Sequence, residues 1–155
     1  MDGDDLFERL RRELIGLKIC FIRAAGNSLL FYVGCRPGDS QGLTLWFASD
    51  WCVSAPEGII VDSNQALGKG DDGMTEVEFE RFYEPICERL IDRPITDVQV
   101  ALSSRDLAVT IADEYHIRTF ASDPEEDYLW HIRENSTGLT LYASTRGWYI
   151  HIGKV

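Results

Sequence analysis

Three histidines, four cysteines and a surplus of carboxylates are the side chains of this 155-residue chain that could carry chemistry, and their spacing limits what that chemistry can be. His116 stands between Tyr115 and Ile117, and His151 between Ile150 and Ile152. In an extended strand each projects from the face opposite its apolar neighbours, towards solvent or a sheet surface. His131 follows Trp130, and this argument assigns it to neither face. Cys20, Cys35, Cys52 and Cys87 are spaced 15, 17 and 35 apart, without a CxxC pair or zinc-ligand spacing. Three of them lie in apolar, strand-like runs where a thiol acts as a small hydrophobe, so reduced cysteines and no structural metal are expected. No GxSxG elbow is present; Gly38-Asp39-Ser40 lies in a Pro/Gly loop. The stretch GKGDDG lacks the GxxxxGK[ST] order of a phosphate loop. Asp123, Glu125, Glu126 and Asp127 could supply paired carboxylates for acid–base work. On a loop beside Pro124 they read instead as solvated, because a catalytic carboxylate needs burial or fixed neighbours to be tuned. A binding protein without a cofactor is expected, rather than an enzyme.

Charge says more about partners. Twenty-six acids against fifteen lysines and arginines leave a net charge of −11, and Asp71–Asp92 alone holds eight acids and two arginines. Glu76, Glu80, Glu84 and Glu88 recur every four residues. On a continuous helix they form one flank beside an apolar face of Phe79, Phe82, Tyr83, Ile86 and Leu90. Each like-charge i,i+4 pair costs an isolated helix a few tenths of a kcal/mol, roughly. Tolerating that cost points to a docking surface for a basic partner. Phosphate binding is disfavoured, since nucleic-acid affinity comes largely from Lys and Arg. No apolar run reaches the ~18–20 residues of a membrane helix, and MDGDDLFERLRREL is unlike a secretory signal, so a cytoplasmic protein without a membrane partner is expected.

The elements that would carry these residues follow from periodicity. Leu6, Phe7, Leu10 and Leu14 have helical spacing, with Gly16 as the stop. Ile19–Ile22 and Leu29–Val33 read as a hairpin turning at Gly26-Asn27. Residues 55–75 read as a long loop. Thr75-x-x-Glu78 is a capping box opening the acidic helix, which Pro85 should kink or break. Beyond it, alternation predicts three strands up to Phe120, then Tyr128–Arg133, Leu139–Ala143 and Gly147–Ile152. The class is α+β: two helices on a mostly antiparallel, meandering sheet in a single domain, 1–155.

Two sequence echoes suggest an internal duplication, with halves 1–54 and 76–155. LIGLKICFIRAAGNSLLFYV (Leu14–Val33) parallels LIDRPITDVQVALSSRDLAVTI (Leu90–Ile111) with about two residues of gap at the turn. GLTLWFASDWCV (Gly42–Val53) parallels GLTLYASTRGWYI (Gly138–Ile150), which makes Trp51 and Trp148 counterparts within a repeated hairpin. Trp46 and Trp130 have no counterpart in that alignment, so either could be a surface anchor for a partner.

In size, acidity and short strands such as DLAVTIADEYHIRTF and GLTLYASTRGWYI, the chain resembles the small bacterial immunity proteins that neutralise polymorphic or contact-dependent toxins. The resemblance implies a non-enzymatic inhibitor that binds one cognate toxin, often a basic nuclease or another nucleic-acid-modifying enzyme, and blocks its active site. Glu76, Glu80, Glu84, Glu88, Asp123, Glu125, Glu126, Asp127 and Trp130 are then the partner-binding candidates. A small-molecule-binding or sensory β-rich domain is the alternative, with a pocket between helices and sheet.

Overall fold

The computed structural model describes residues 2–25, 28–48, 50–63, 76–121 and 128–153. Helix α1 (Gly3–Leu14) starts where the Asp2 carboxylate accepts the Asp5 N–H at 2.9 Å. Asp4 and Asp5 fill its first turn and Arg11 and Arg12 its last, matching the helix dipole at both ends. Leu6, Phe7, Leu10 and Leu14 are buried. Helix α2 (Glu76–Leu90) runs as one element with Pro85 inside it, not as two short helices. A proline removes one backbone bond of the ladder, and Ile86 and Leu90, both buried, hold the following turn in the core. Neither helix is long and apolar enough to cross a membrane.

The strands among the described residues are β1 (Ile19–Ala25), β2 (Ser28–Val33), β3 (Leu43–Phe47), β4 (Trp51–Ala55), β5 (Gly58–Asp62), β6 (Ile95–Val100), β7 (Leu107–Ile111), β8 (Tyr115–Thr119), β9 (Trp130–Glu134), β10 (Leu139–Ala143) and β11 (Trp148–Ile152). They form two antiparallel sheets, ordered β1-β2-β3-β9-β10-β11 and β5-β4-β8-β7-β6. The fold is thus α+β and mostly sheet, as expected. Inward residues of both sheets and the apolar sides of both helices share one core, including Phe31, Phe47, Val53, Val109, Ile117 and Ile132. Helix α1 lies against β6 at the edge of one sheet and β10 and β11 of the other; α2 lies against β1 and β5. Each helix therefore spans the gap between the sheets.

Two expectations about connectivity are corrected. Strand β5 lies inside the stretch read as loop 55–75, paired with β4 across a turn at Pro56-Glu57. Its apolar run, Ile59–Val61, is too short to show periodicity. Strands β3 and β4 do not form a hairpin: β3 pairs with β2 and β9 in one sheet, β4 with β5 and β8 in the other. The chain changes sheets between Phe47 and Trp51.

The hydrogen bonds relate the two halves by a pseudo-twofold arrangement. Lys18 and Pro94 meet in an isolated antiparallel bridge. Around it, Gly16 N donates to Ile95 O and Asp92 N to Ile19 O, both at 2.7 Å; Ile95 N donates to Leu17 O at 2.9 Å and Ile19 N to Arg93 O at 3.0 Å. The register shift of β1 between Ile19 and Phe21 recurs in β6 between Ile95 and Asp97. Gly34 N donates to Lys18 O, and Ala112 N to Pro94 O, at 2.8 Å each. The left-handed positions correspond as well: Gly16 at φ 93° with Asp92 at 68°, and Gly34 at 66° with Ala112 at 53°. These contacts agree with the alignment of Leu14–Val33 and Leu90–Ile111, including its two-residue offset.

They do not agree with the pairing of the GLTL segments. Strand β3 pairs with β9 as β8 pairs with β4, so β3 corresponds to β8, β4 to β9 and β5 to β10. Trp51 and Trp130 are then the counterparts, each opening a strand just after the chain has changed sheets. The crossings match: Ala48 N donates to Leu129 O at 3.0 Å and Phe120 N to Asp50 O at 2.9 Å. Trp148 opens β11, which has no counterpart among the described residues of the first half.

Candidate functional site

Of the residues read as partner-binding, the structure exposes Glu84 and Glu88 on α2, one helical turn apart. Neither is paired with a cation among the described residues, and Arg89 is turned to Glu57. Their field is felt nearby: the Cys87 thiol is pushed up, first by burial and further by the charges of Glu84 and Glu88. The side chains of Glu76 and Glu80, and all of Asp123, Glu125, Glu126 and Asp127, lie outside the described residues. Trp130 is a correction. It is fully buried, its indole N–H donates to Arg105 O at 2.7 Å, and its ring packs edge-on to Phe7 and Trp148. Opening β9 with its side chain inward, it belongs to the core and not to a docking surface.

The structure gathers other residues that sequence reasoning left apart. Because strand side chains alternate, the core-facing set of the six-stranded sheet leaves two rows on its outer face, which the strand registers bring side by side. One row runs Leu30, Trp46, His131, Tyr142 and Tyr149, each directly opposite the next across neighbouring strands. The other runs Tyr32, Thr44, Arg133, Thr140 and His151 in the same way. Except for Tyr149, these residues line a concavity of about 720 Å³, joined by Gly38–Ser40, Asn135, Gly138 and Gly153.

Aromatic contacts fix the first row. The Trp46 and His131 rings stack at 5.4 Å, His131 and Tyr142 lie 4.9 Å apart, and Tyr128 stacks on His131 at 5.7 Å. The Tyr128 hydroxyl is hydrogen-bonded to His131 Nδ1. Burial, with Arg133 adding its positive charge, holds His131 down at a pKa of about 4. The Tyr128 phenol is pushed up, first by burial and then by Tyr142. Near neutral pH the His131 ring is uncharged. The Trp46 indole N–H is buried with no acceptor among the described residues.

The second row is polar. Thr44 Oγ1 donates to Asn135 Oδ1 at 3.1 Å and Thr140 Oγ1 to Gly138 O at 3.3 Å, which occupies the hydroxyls on either side of Arg133. Arg133 is exposed and forms no ion pair among the described residues. Asp39 is among the lining residues, its carboxylate accepting Arg36 N–H at 2.7 Å. Strand parity alone places Trp46 with Thr44 and His131 with Arg133. Only the β3–β9 register places the pairs together.

A second polar cluster ties α1 to β9. Arg9 lies 2.9 Å from Glu134 and 3.7 Å from Glu13, and Thr137 Oγ1 donates to Glu134 at 2.7 Å. Burial raises Glu13, as do its hydrogen bond to Glu134 and that residue's charge. Burial alone would also raise Glu134, but the hydrogen bonds from Thr137 and Glu13, together with Arg9, leave it lowered. Arg9 on α1 and Glu134 on β9 thus tie helix to sheet.

No protein-family model matches the chain, and no curated protein or solved structure matches it either. The four cysteines are free, and no cluster of metal-ligating side chains forms among the described residues.

Proposed function

We propose that this chain is a non-enzymatic binding protein of the immunity type, working in the cytoplasm, that docks on a basic toxin and covers its active site. The observation that carries the reading is the exposed flank of α2, where Glu84 and Glu88 stand unpaired among the described residues in a protein of net charge −11. Two acidic side chains held by a helix packed on the core form a rigid negative edge, which steers a basic partner and rejects acidic ones. The toxin would be a nuclease or another enzyme acting on nucleic acid, since such enzymes present the basic surface this edge complements. The test is co-purification of the tagged protein from its native cell, followed by affinity measured against salt. Binding should weaken steadily as salt rises, and Glu84→Lys with Glu88→Lys should weaken it about tenfold or more at low salt. Salt-independent binding, or unchanged affinity in the double variant, would refute the reading.

A second reading, a small-molecule-binding domain, is favoured by a separate observation: the concavity of about 720 Å³ on the outer face of the six-stranded sheet. That volume is in the range of drug-sized ligand sites, roughly 300–1,000 Å³. It lies outside the sheet, not between helices and sheet where a pocket was expected.

A further inference from the structure

The second reading leaves the ligand open, and the inference here rests on that reading. We infer that the outer face of the six-stranded sheet, centred on Arg133, binds a flat anion: an aromatic ring bearing a carboxylate.

Three features of the face select that chemistry. The first is the position of Arg133 on β9, an interior strand, with threonines directly opposite on both neighbours. Thr44 and Thr140 offer no charge, and their hydroxyl protons are already committed to Asn135 and Gly138. Among the described residues no ion pair takes up the guanidinium, which leaves its donors available to a ligand. Arg9, Arg11 and Arg89, by contrast, all reach carboxylates. A planar guanidinium fork takes a carboxylate through two parallel N–H···O bonds.

The second feature is the adjacent aromatic row. His131 lies two residues before Arg133 on the same face, with its ring fixed between Trp46 and Tyr142. Rings held this firmly lose little freedom when a flat ligand settles against them. The platform thus stands beside the cation, at the spacing of neighbouring cross-strand rows.

The third feature is the orphan donor. A buried N–H without a partner costs free energy, so a protein keeps one rarely. The Trp46 indole N–H is such a group, in the row that would receive the ring. Asp39, the carboxylate among the lining residues, is held by Arg36 N–H and is not ion-paired with Arg133.

The experiment follows the four indole N–H resonances of the ¹⁵N-labelled full chain by NMR, with the Trp46 peak assigned from Trp46→Phe. The probes are 2-naphthoate and its uncharged isostere 2-naphthamide. The expected result is a saturable shift of the Trp46 peak by naphthoate, at about tenfold or more higher affinity than naphthamide, because a hydrogen bond to a charged group contributes ~1.5–3 kcal/mol. Arg133→Gln should reduce naphthoate affinity to that of the amide while leaving the ligand-free spectrum in place. Equal affinity for both probes would overturn the assignment to an anion and leave the small-molecule reading standing. No shift with either probe up to solubility would overturn both. The comparison of probes on the unaltered chain decides the matter even if the arginine variant folds poorly.

Discussion

Acidification should destabilise this protein through His131 before most of its carboxylates titrate. The ring is packed between Trp46 and Tyr142, its Nδ1 engaged by the Tyr128 hydroxyl. Burial first, and the charge of Arg133 second, lower its pKa from 6.5 to about 4. The unfolded chain therefore takes up this proton at a higher pH than the folded one. The stabilisation is complete above pH ~6.5 and is lost as pH falls towards ~4. Linkage over that difference gives a loss of about 2 kcal/mol between pH ~7.5 and pH ~5, rising to about 3 kcal/mol near pH 4. The measurement is urea unfolding across that window for the natural chain and for His131→Phe. The variant will have a different baseline, since it loses the bond to Tyr128. What matters is its slope with pH, which should be flatter by the same 2 kcal/mol or so. In parallel, the His131 ring resonance should remain in its neutral position down to pH ~5. A variant with an unchanged slope, or a ring that titrates near its ordinary pKa, would refute the reasoning.

Two further outcomes follow from backbone geometry. Gly3→Ala should destabilise the protein by about 1–3 kcal/mol in thermal unfolding, because a β-carbon there would overlap the Trp148 ring that lies against the start of α1. Ala112→Gly should stabilise it by about 0.5–1 kcal/mol, measured as a shift in denaturant midpoint. Ala112 holds φ 53°, and its counterpart in the first half, Gly34, holds φ 66° without the steric cost. An unchanged or lower midpoint would count against the correspondence between the halves.

Much of the local structure was legible in the sequence because it rests on local causes. The period of Leu6, Phe7, Leu10 and Leu14 specifies a helix with one buried side, and Gly16 marks its end. Alternation located β6 to β11 and placed His116 and His151 opposite their apolar neighbours. The likeness of Leu14–Val33 to Leu90–Ile111 is legible too, since it covers a helix end, a strand and a turn that must share one backbone path.

Pairing between distant strands has no such local signature. Nothing in ASDW says that the chain leaves one sheet for the other, because a hairpin and a crossing both begin with a strand followed by a polar link. The GLTL segments match as sequences yet sit in unlike positions: β3 is an interior strand flanked by β2 and β9, while β10 lies beside the unmatched β11. The same limit applies to the site. Strand parity only puts Thr44 on the same face as Trp46 and His131 on the same face as Arg133; their assembly into an aromatic row beside an arginine depends on the registers of β3 with β9 and of β9 with β10. Those registers are decided by burial of Leu45, Ile132 and Leu141 on the opposite face, where a slip of one residue would turn the whole apolar set towards water. Composition and periodicity thus determined both helices and every strand among the described residues except β5. Tertiary packing alone decided that Trp130 is core and that Arg133 has an aromatic row beside it.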